Sequence, residues 1–203
     1  KQDVLKMADW AQRRGIMFIV DESFVDFADT NEPASLLEEE ILQKYKTLVV
    51  VKSISKSFGV PGLRLGILAS GDEEMISVLK KRMSIWNINS FGEFYMQIFE
   101  KYKSNYEDAL ERFKEVRRTY VKELSACPFL EVLPSQANYV MCRLIGNKTS
   151  RELAENLLNK YNILIKDLSK KKGFEGESYI RLAVKRPEEN QKLIDAMRTE
   201  FGV

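Results

Sequence analysis

The chain has 203 residues, of which 44% are hydrophobic and 31% charged, close to the averages of ordinary globular proteins. Its net charge of +2 is too small to argue for nucleic acid or a membrane surface as partner, and no apolar run approaches the roughly 20 residues that cross a bilayer. With no histidine the chain has no Ser-His-Asp or Cys-His machinery and lacks the commonest metal ligand.

Taken in chain order, residues 1–15 read as a helix closed at Gly15. The unbroken apolar run Ile16-Met17-Phe18-Ile19-Val20 reads as a strand over 16–21 buried on both faces. Residues 33–45 carry Leu36, Leu37, Ile41 and Leu42 in a helical pattern. Residues 47–52 form a second buried strand, and 65–69 a third. A helix follows over 72–85, capped by Asp72. This β-α-β alternation argues for a mainly parallel sheet.

From 91 to 124 apolar residues recur at helical spacing, among them Phe94, Tyr95, Phe99, Tyr102, Tyr106 and Phe113. Ser104-Asn105 is expected to divide this stretch into two helices, with the aromatic stripe serving packing. Strands over 130–133, 137–144, 163–167 and 179–184 then alternate with helices over 150–161 and 187–201. Lys170-Lys171-Lys172 beside Gly173 reads as a solvated loop. The fold class is α/β: residues 1–90 form a mainly parallel portion, and residues 91–203 an interdomain helix and an α+β small domain. Cys127 and Cys142 have no metal-ligand spacing, so no metal site is expected, and unpaired cysteines suit a reducing cytoplasm.

One window concentrates chemistry: Ser53-Ile54-Ser55-Lys56-Ser57-Phe58-Gly59-Val60-Pro61-Gly62-Leu63-Arg64-Leu65-Gly66. Lys56 supplies an amine able to bond covalently to a carbonyl. Ser53, Ser55 and Arg64 can hold a phosphate, the arginine as a planar two-pronged donor. A surface lysine after a strand is the plain alternative, but several unrelated requirements meet here. Upstream, Asp21 stands at the carboxyl end of a strand, where open parallel sheets bind ligands. It suits a cationic partner such as a protonated pyridine nitrogen; taken alone, a helix- or turn-capping role is the simpler reading, and beside the Lys56 window the balance reverses.

The Lys56 window resembles the pyridoxal-phosphate lysine motif of fold-type I aminotransferases, S-x-S-K-x-x-G-x-x-G-x-R-x-G, and fills every fixed position. The resemblance implies that Lys56 carries pyridoxal 5'-phosphate through its amine and that Ser53, Ser55 and Arg64 lie against the cofactor phosphate. Asp21-Glu22-Ser23-Phe24 is similar to the family's D-E-A-Y segment, in which the Asp meets the pyridine nitrogen. Phe24 stands where the family commonly has a tyrosine that donates to the ring hydroxyl, and a phenyl ring cannot donate. The D-E-x-F variant resembles the threonine-phosphate decarboxylase branch, a relative of histidinol-phosphate aminotransferase.

Ser178-Tyr179-Ile180-Arg181-Leu182 resembles the strand whose arginine binds the substrate α-carboxylate, which places Arg181 in that role. Pro134-Ser135-Gln136-Ala137-Asn138-Tyr139 is similar to the family's P-S-x-A-N segment, with Asn138 near the active site or capping a turn. Trp86-Asn87-Ile88-Asn89 resembles the segment after the large domain. Its Asn87 either meets substrate or belongs to a cap for the helix at Phe91.

The resemblance covers the C-terminal half to two-thirds of a family member and implies an earlier Gly-rich phosphate turn and stacking aromatic. The implied activity is amino transfer between an amino acid or amine and a keto acid, in a cytoplasmic homodimer. The alternatives are decarboxylation of a phosphorylated amino acid, or an incomplete module of a fused protein.

Overall fold

Alternating apolar residues build a sheet from Phe18–Asp21 (β1), Leu48–Ser53 (β2) and Gly66–Ser70 (β3), in the order β1-β2-β3. The computed structural model describes residues 1–174 and 178–203, in two compact units, Lys1–Leu110 and Glu111–Val203. In the first unit, β1 and β2 run parallel with Asp21 opposite Val51. The chain between them includes helix α2, Glu39–Lys44, which gives the crossover that a parallel pair needs. β3 runs antiparallel to β2, so the sheet is mixed rather than mainly parallel. No α-helix lies between those two strands, only a one-turn 3-10 segment at Pro61–Leu63, and the chain simply turns back.

Phe18, Val20, Leu48 and Val50 share one face and pack with Ala8, Leu36 and Tyr45. Ala8 comes from helix α1, Gln2–Gln12, which is followed by a turn with Gly15 at φ 63°, a conformation glycine adopts without penalty. The opposite face differs from expectation, because Ile19 is 59% exposed. β1 is therefore buried on one face only, and it starts at Phe18 rather than Ile16.

The helix expected over 33–45 shrinks to α2. The cause is Glu22, a buried carboxylate that accepts from the Ser35 hydroxyl and the Leu36 amide, each at 2.6 Å. A buried charge needs such donors, and providing them holds 33–38 as a loop with Leu36 in the core. Helix α3, Glu73–Arg82, is capped as expected by Asp72, which accepts from the Met75 amide at 2.9 Å.

Helix α4 runs unbroken over Ser90–Ser125, through the expected division at Ser104-Asn105. Serine and asparagine cost only tenths of a kcal/mol each inside a helix, less than the packing of Phe99 and Tyr106 around them. No helix among the described residues is long and apolar enough to cross a membrane.

In the second unit, Leu130–Val132 (β4), Tyr139–Leu144 (β5), Lys166–Asp167 (β6) and Tyr179–Ala183 (β7) form an antiparallel sheet ordered β4-β5-β7-β6. Val140, Cys142, Ile180 and Leu182 are fully buried against Leu153, Leu157, Ile194 and Met197. Those come from helices α5, Ser150–Tyr161, and α6, Pro187–Phe201. α5 opens with a capping box between Thr149 and Glu152 and closes on Asn162 in the left-handed region, both standard end signals. β5 begins two residues later than expected because Ser135 bonds the Tyr139 carbonyl and accepts from the Ala137 amide. Cys127 and Cys142 are free and buried.

α5 and α6 are joined by one acidic hub. Glu200 accepts from Asn156 at 2.8 Å, Lys160 at 2.9 Å, and Lys148 and Tyr161 at 3.2 Å. The Lys160 ammonium is the main cause that holds its carboxyl down at about 2. A depressed carboxyl contributes stability above its ordinary value of 4.5, and this is lost as pH falls toward the folded value. Glu200→Gln should therefore cost on the order of 2 kcal/mol at neutral pH, allowing for water around Lys160. Urea unfolding of both proteins should show that gap closing between pH 4.5 and about 2; a gap independent of pH would contradict the account.

Candidate functional site

The parallel register of β1 and β2 brings their carboxyl ends to one edge of the first unit. Asp21 ends β1 and is exposed. Its Oδ1 accepts from the Ser23 hydroxyl at 2.5 Å and the Ser23 amide at 2.8 Å. These bonds, the hydroxyl first, hold its carboxyl below the ordinary value, so it remains ionised. The Ser53 amide at the end of β2 donates to the same Ser23 hydroxyl at 3.1 Å. Ser23 thus couples the two strand ends. The Ser55 amide donates to the Ser53 hydroxyl at 3.3 Å, and Ser55 itself is buried.

Lys56 is exposed, with its ammonium 5.8 Å from the centroid of the Phe24 ring. It makes no ion pair with a carboxylate among the described residues. Asp21, Phe24, Ser53 and Lys56 are thus gathered at one sheet edge. The Ile54 amide donates to the Leu65 carbonyl at 3.2 Å, which ties the lysine loop to the chain around Arg64. Arg64 is in the left-handed region at φ 56°, an uncommon state for a side-chain-bearing residue that clusters at functional sites. Its guanidinium is exposed and donates to the Pro61 carbonyl at 3.3 Å.

Asn87 belongs to the first unit. Asn87 is exposed in a segment where Trp86 is 88% exposed. The cap of α4 belongs to Asn89, which accepts from the Gly92 amide and donates to the Leu63 carbonyl, each at 2.9 Å. Arg181 and Asn138 belong to the second unit. Arg181 lies on the exposed face of β7, 4.9 Å from the Tyr139 ring centroid. Asn138 accepts from the Val184 amide at 3.0 Å through its carbonyl, just before β5.

Several residues escape the sequence reading. Ser23 has a local signal, the Asp-x-Ser spacing of an Asx turn. Asp26, Lys52, Ser57 and Tyr106 have none, because they meet only in the folded chain. The Asp26 carboxylate takes Lys52 and the Ser57 hydroxyl at 2.5 Å each. Phe58 stacks on Tyr106 with centroids 4.4 Å apart. The aromatic stripe of α4 is only partly packing: Phe94 is 60% and Tyr102 49% exposed. Tyr95, Phe99, Tyr102 and Tyr106 line an open groove of about 430 Å³ with Phe58. Burial there pushes the Tyr106 phenol up to about 12.

Residues 1–197 match the family model described as aminotransferase class I and II. The L-serine phosphate decarboxylase of Sulfurospirillum multivorans is 36% identical over 191 residues, 89% of this chain and 46% of that protein. The histidinol-phosphate aminotransferase of Caldanaerobacter subterraneus is 30% identical, over 98% of this chain and 52% of that one. The L-threonine-O-3-phosphate decarboxylase structure from Porphyromonas gingivalis superposes with a TM-score of 0.83 at 25% identity, covering 100% of this chain and 59% of that one. The chain thus spans about half the length of these curated relatives.

Pyridoxal phosphate carries an aldehyde, a ring nitrogen and a phosphate, and the residues present fit all three. Lys56 offers an unpaired amine, Asp21 an ionised carboxylate, and Ser53, Ser55 and Arg64 a set of donors. Ser23 sets the Asp21 charge, so Ser23→Ala should raise the Asp21 carboxyl back toward its ordinary value. Carbon-detected NMR titration of Asp21 in both proteins measures this, and an unmoved curve would remove Ser23 from the site.

Proposed function

This chain belongs to the class I and II aminotransferase family, whose cofactor is pyridoxal 5'-phosphate, and on that premise we propose that the whole protein decarboxylates a phosphorylated amino acid. One observation in the second unit carries the substrate class. Lys166 on β6 stands directly opposite Arg181 on β7, and both are exposed. Directly opposed residues have Cβ atoms about 4.5–5.5 Å apart, and like charges there are destabilising. Neither cation pairs with a carboxylate among the described residues. A substrate with two anionic groups would relieve that repulsion. The planar Arg181 fork suits the carboxylate, and the Lys166 point charge suits the phosphate.

The first unit holds the chemistry. Lys56 binds the cofactor through its amine and then moves a proton at the substrate Cα. Asp21 keeps a proton on the ring nitrogen, and Ser53, Ser55 and Arg64 hold the cofactor phosphate. Phe24 packs under the ammonium without donating. The bound cofactor supplies an electron sink for the broken Cα bond. Decarboxylation is supported by the serine- and threonine-phosphate decarboxylases among the relatives.

Amino transfer, the reading the sequence favours, is the second candidate, supported by the histidinol-phosphate aminotransferase. The family resemblance also supports a homodimer. The same resemblance supports Asn87 and Asn138 as substrate-binding residues.

The two reactions part in their products. The whole protein, loaded with cofactor and given L-serine phosphate or L-threonine phosphate, should release carbon dioxide in step with substrate loss. Keto acid without carbon dioxide would replace decarboxylation by amino transfer. Lys166→Ala and Arg181→Lys should each cost on the order of 1.5–3 kcal/mol of transition-state binding. They should do so without reducing cofactor capture at Lys56, which borohydride followed by peptide mapping reads. Full activity in Arg181→Ala would remove the arginine from the substrate site.

A further inference from the structure

Two lysines flank the end of β2, four residues apart, and their surroundings are opposite. The Lys52 side chain is only 10% exposed and donates to Asp26 at 2.5 Å, with the Asp26 side chain itself 17% exposed. The Lys52 ammonium also lies 6.0 Å from the Phe58 ring centroid. Lys56 is exposed, its ammonium lies near the Phe24 ring, and it makes no ion pair among the described residues. Asp26 does a second thing: its other oxygen accepts from the hydroxyl of Ser57, the residue next to Lys56, at 2.5 Å. Tyr106 of α4 lies close to both Ser57 and Asp26. One carboxylate therefore grips the chain on both sides of Lys56.

Only a neutral amine adds to an aldehyde carbon. In that condensation the amine gives up both hydrogens, the aldehyde its oxygen, water leaves and a C=N bond forms. Lys52 must first leave the Asp26 carboxylate that holds its ammonium at 2.5 Å in a largely buried pair, and the carboxylate would lose its cation. Lys56 makes no such pair among the described residues.

We propose that Asp26 is a positioning residue that reserves Lys56, rather than Lys52, for carbonyl chemistry, by ion-pairing one lysine and fixing the loop that bears the other. The proposal rests on Lys56 being the cofactor lysine, and the test separates the two.

Two labels are applied to the wild-type protein and to Asp26→Asn, with circular dichroism confirming the fold, and each lysine is quantified by peptide mass mapping. The first is trace acetic anhydride, which needs no cofactor site. Wild-type Lys52 should react at least tenfold more slowly than Lys56 and than the exposed Lys6. In Asp26→Asn that protection should fall at least tenfold. The second is pyridoxal phosphate fixed by borohydride, whose hydride and a solvent proton reduce the C=N bond. Wild type should carry this label at Lys56, and Asp26→Asn at both lysines.

Wild-type Lys52 acetylated as fast as Lys56 would overturn the inference, even if Asp26→Asn failed to fold. So would unchanged protection in a folded Asp26→Asn. Pyridoxal phosphate fixed at a lysine other than Lys56 in wild type, with Lys52 still protected from anhydride, would instead overturn the cofactor assignment.

Discussion

The site depends on the parallel pairing of β1 with β2. That register sets Asp21 opposite Val51 and leaves the chain after Ser53 free to turn across the same sheet edge. Two side chains thirty-five residues apart in sequence, Asp21 and Lys56, then stand at one sheet edge. Ser23 stitches the edge together by donating to Asp21 and accepting from Ser53. A shift of one residue in the pairing would turn Asp21 to the face that carries Phe18 and Val20, where an ionised carboxylate could not be solvated.

Charge is managed by giving each carboxylate at this edge separate donors. Glu22 is buried and satisfied by Ser35 and Leu36. Asp21 is exposed and held by Ser23. Asp26 takes Lys52 and Ser57. Lys56, by contrast, makes no ion pair among the described residues and lies near the Phe24 ring. In the second unit the pattern is reversed: Lys166 and Arg181 stand opposite each other, and neither pairs with a carboxylate among the described residues. A sheet that keeps two like charges opposed forgoes stability.

Decarboxylation and amino transfer share nearly all of these residues. Both need the amine, the ring-nitrogen partner and the phosphate donors, and they differ in which Cα bond is held perpendicular to the cofactor ring. Side chains that orient the substrate decide this, not the residues that bind the cofactor. That is why the Lys56 motif identifies the family clearly while the reaction rests on the second unit and on the relatives.

The sequence by itself determined what is local. The Lys56 window, the Asp21 strand end, the Asp72 cap and the α5 and α6 boundaries all follow from spacing and end signals, which act within a few residues. Tertiary structure decided the rest. It left Ile19 exposed, because burial depends on what covers a face and not on the run of apolar residues. It replaced the first turns expected of the 33–45 helix by a loop, because Glu22 needed donors. It carried α4 through Ser104-Asn105, since propensities of tenths of a kcal/mol yield to packing. It turned β3 antiparallel, gave the cap of α4 to Asn89 of the 86–90 segment, and joined Asp26 to Lys52 and Ser57 across 26 and 31 residues. Contacts of that kind have no period or spacing to betray them, because loop closure lets any two distant residues meet at a cost that rises only slowly with separation.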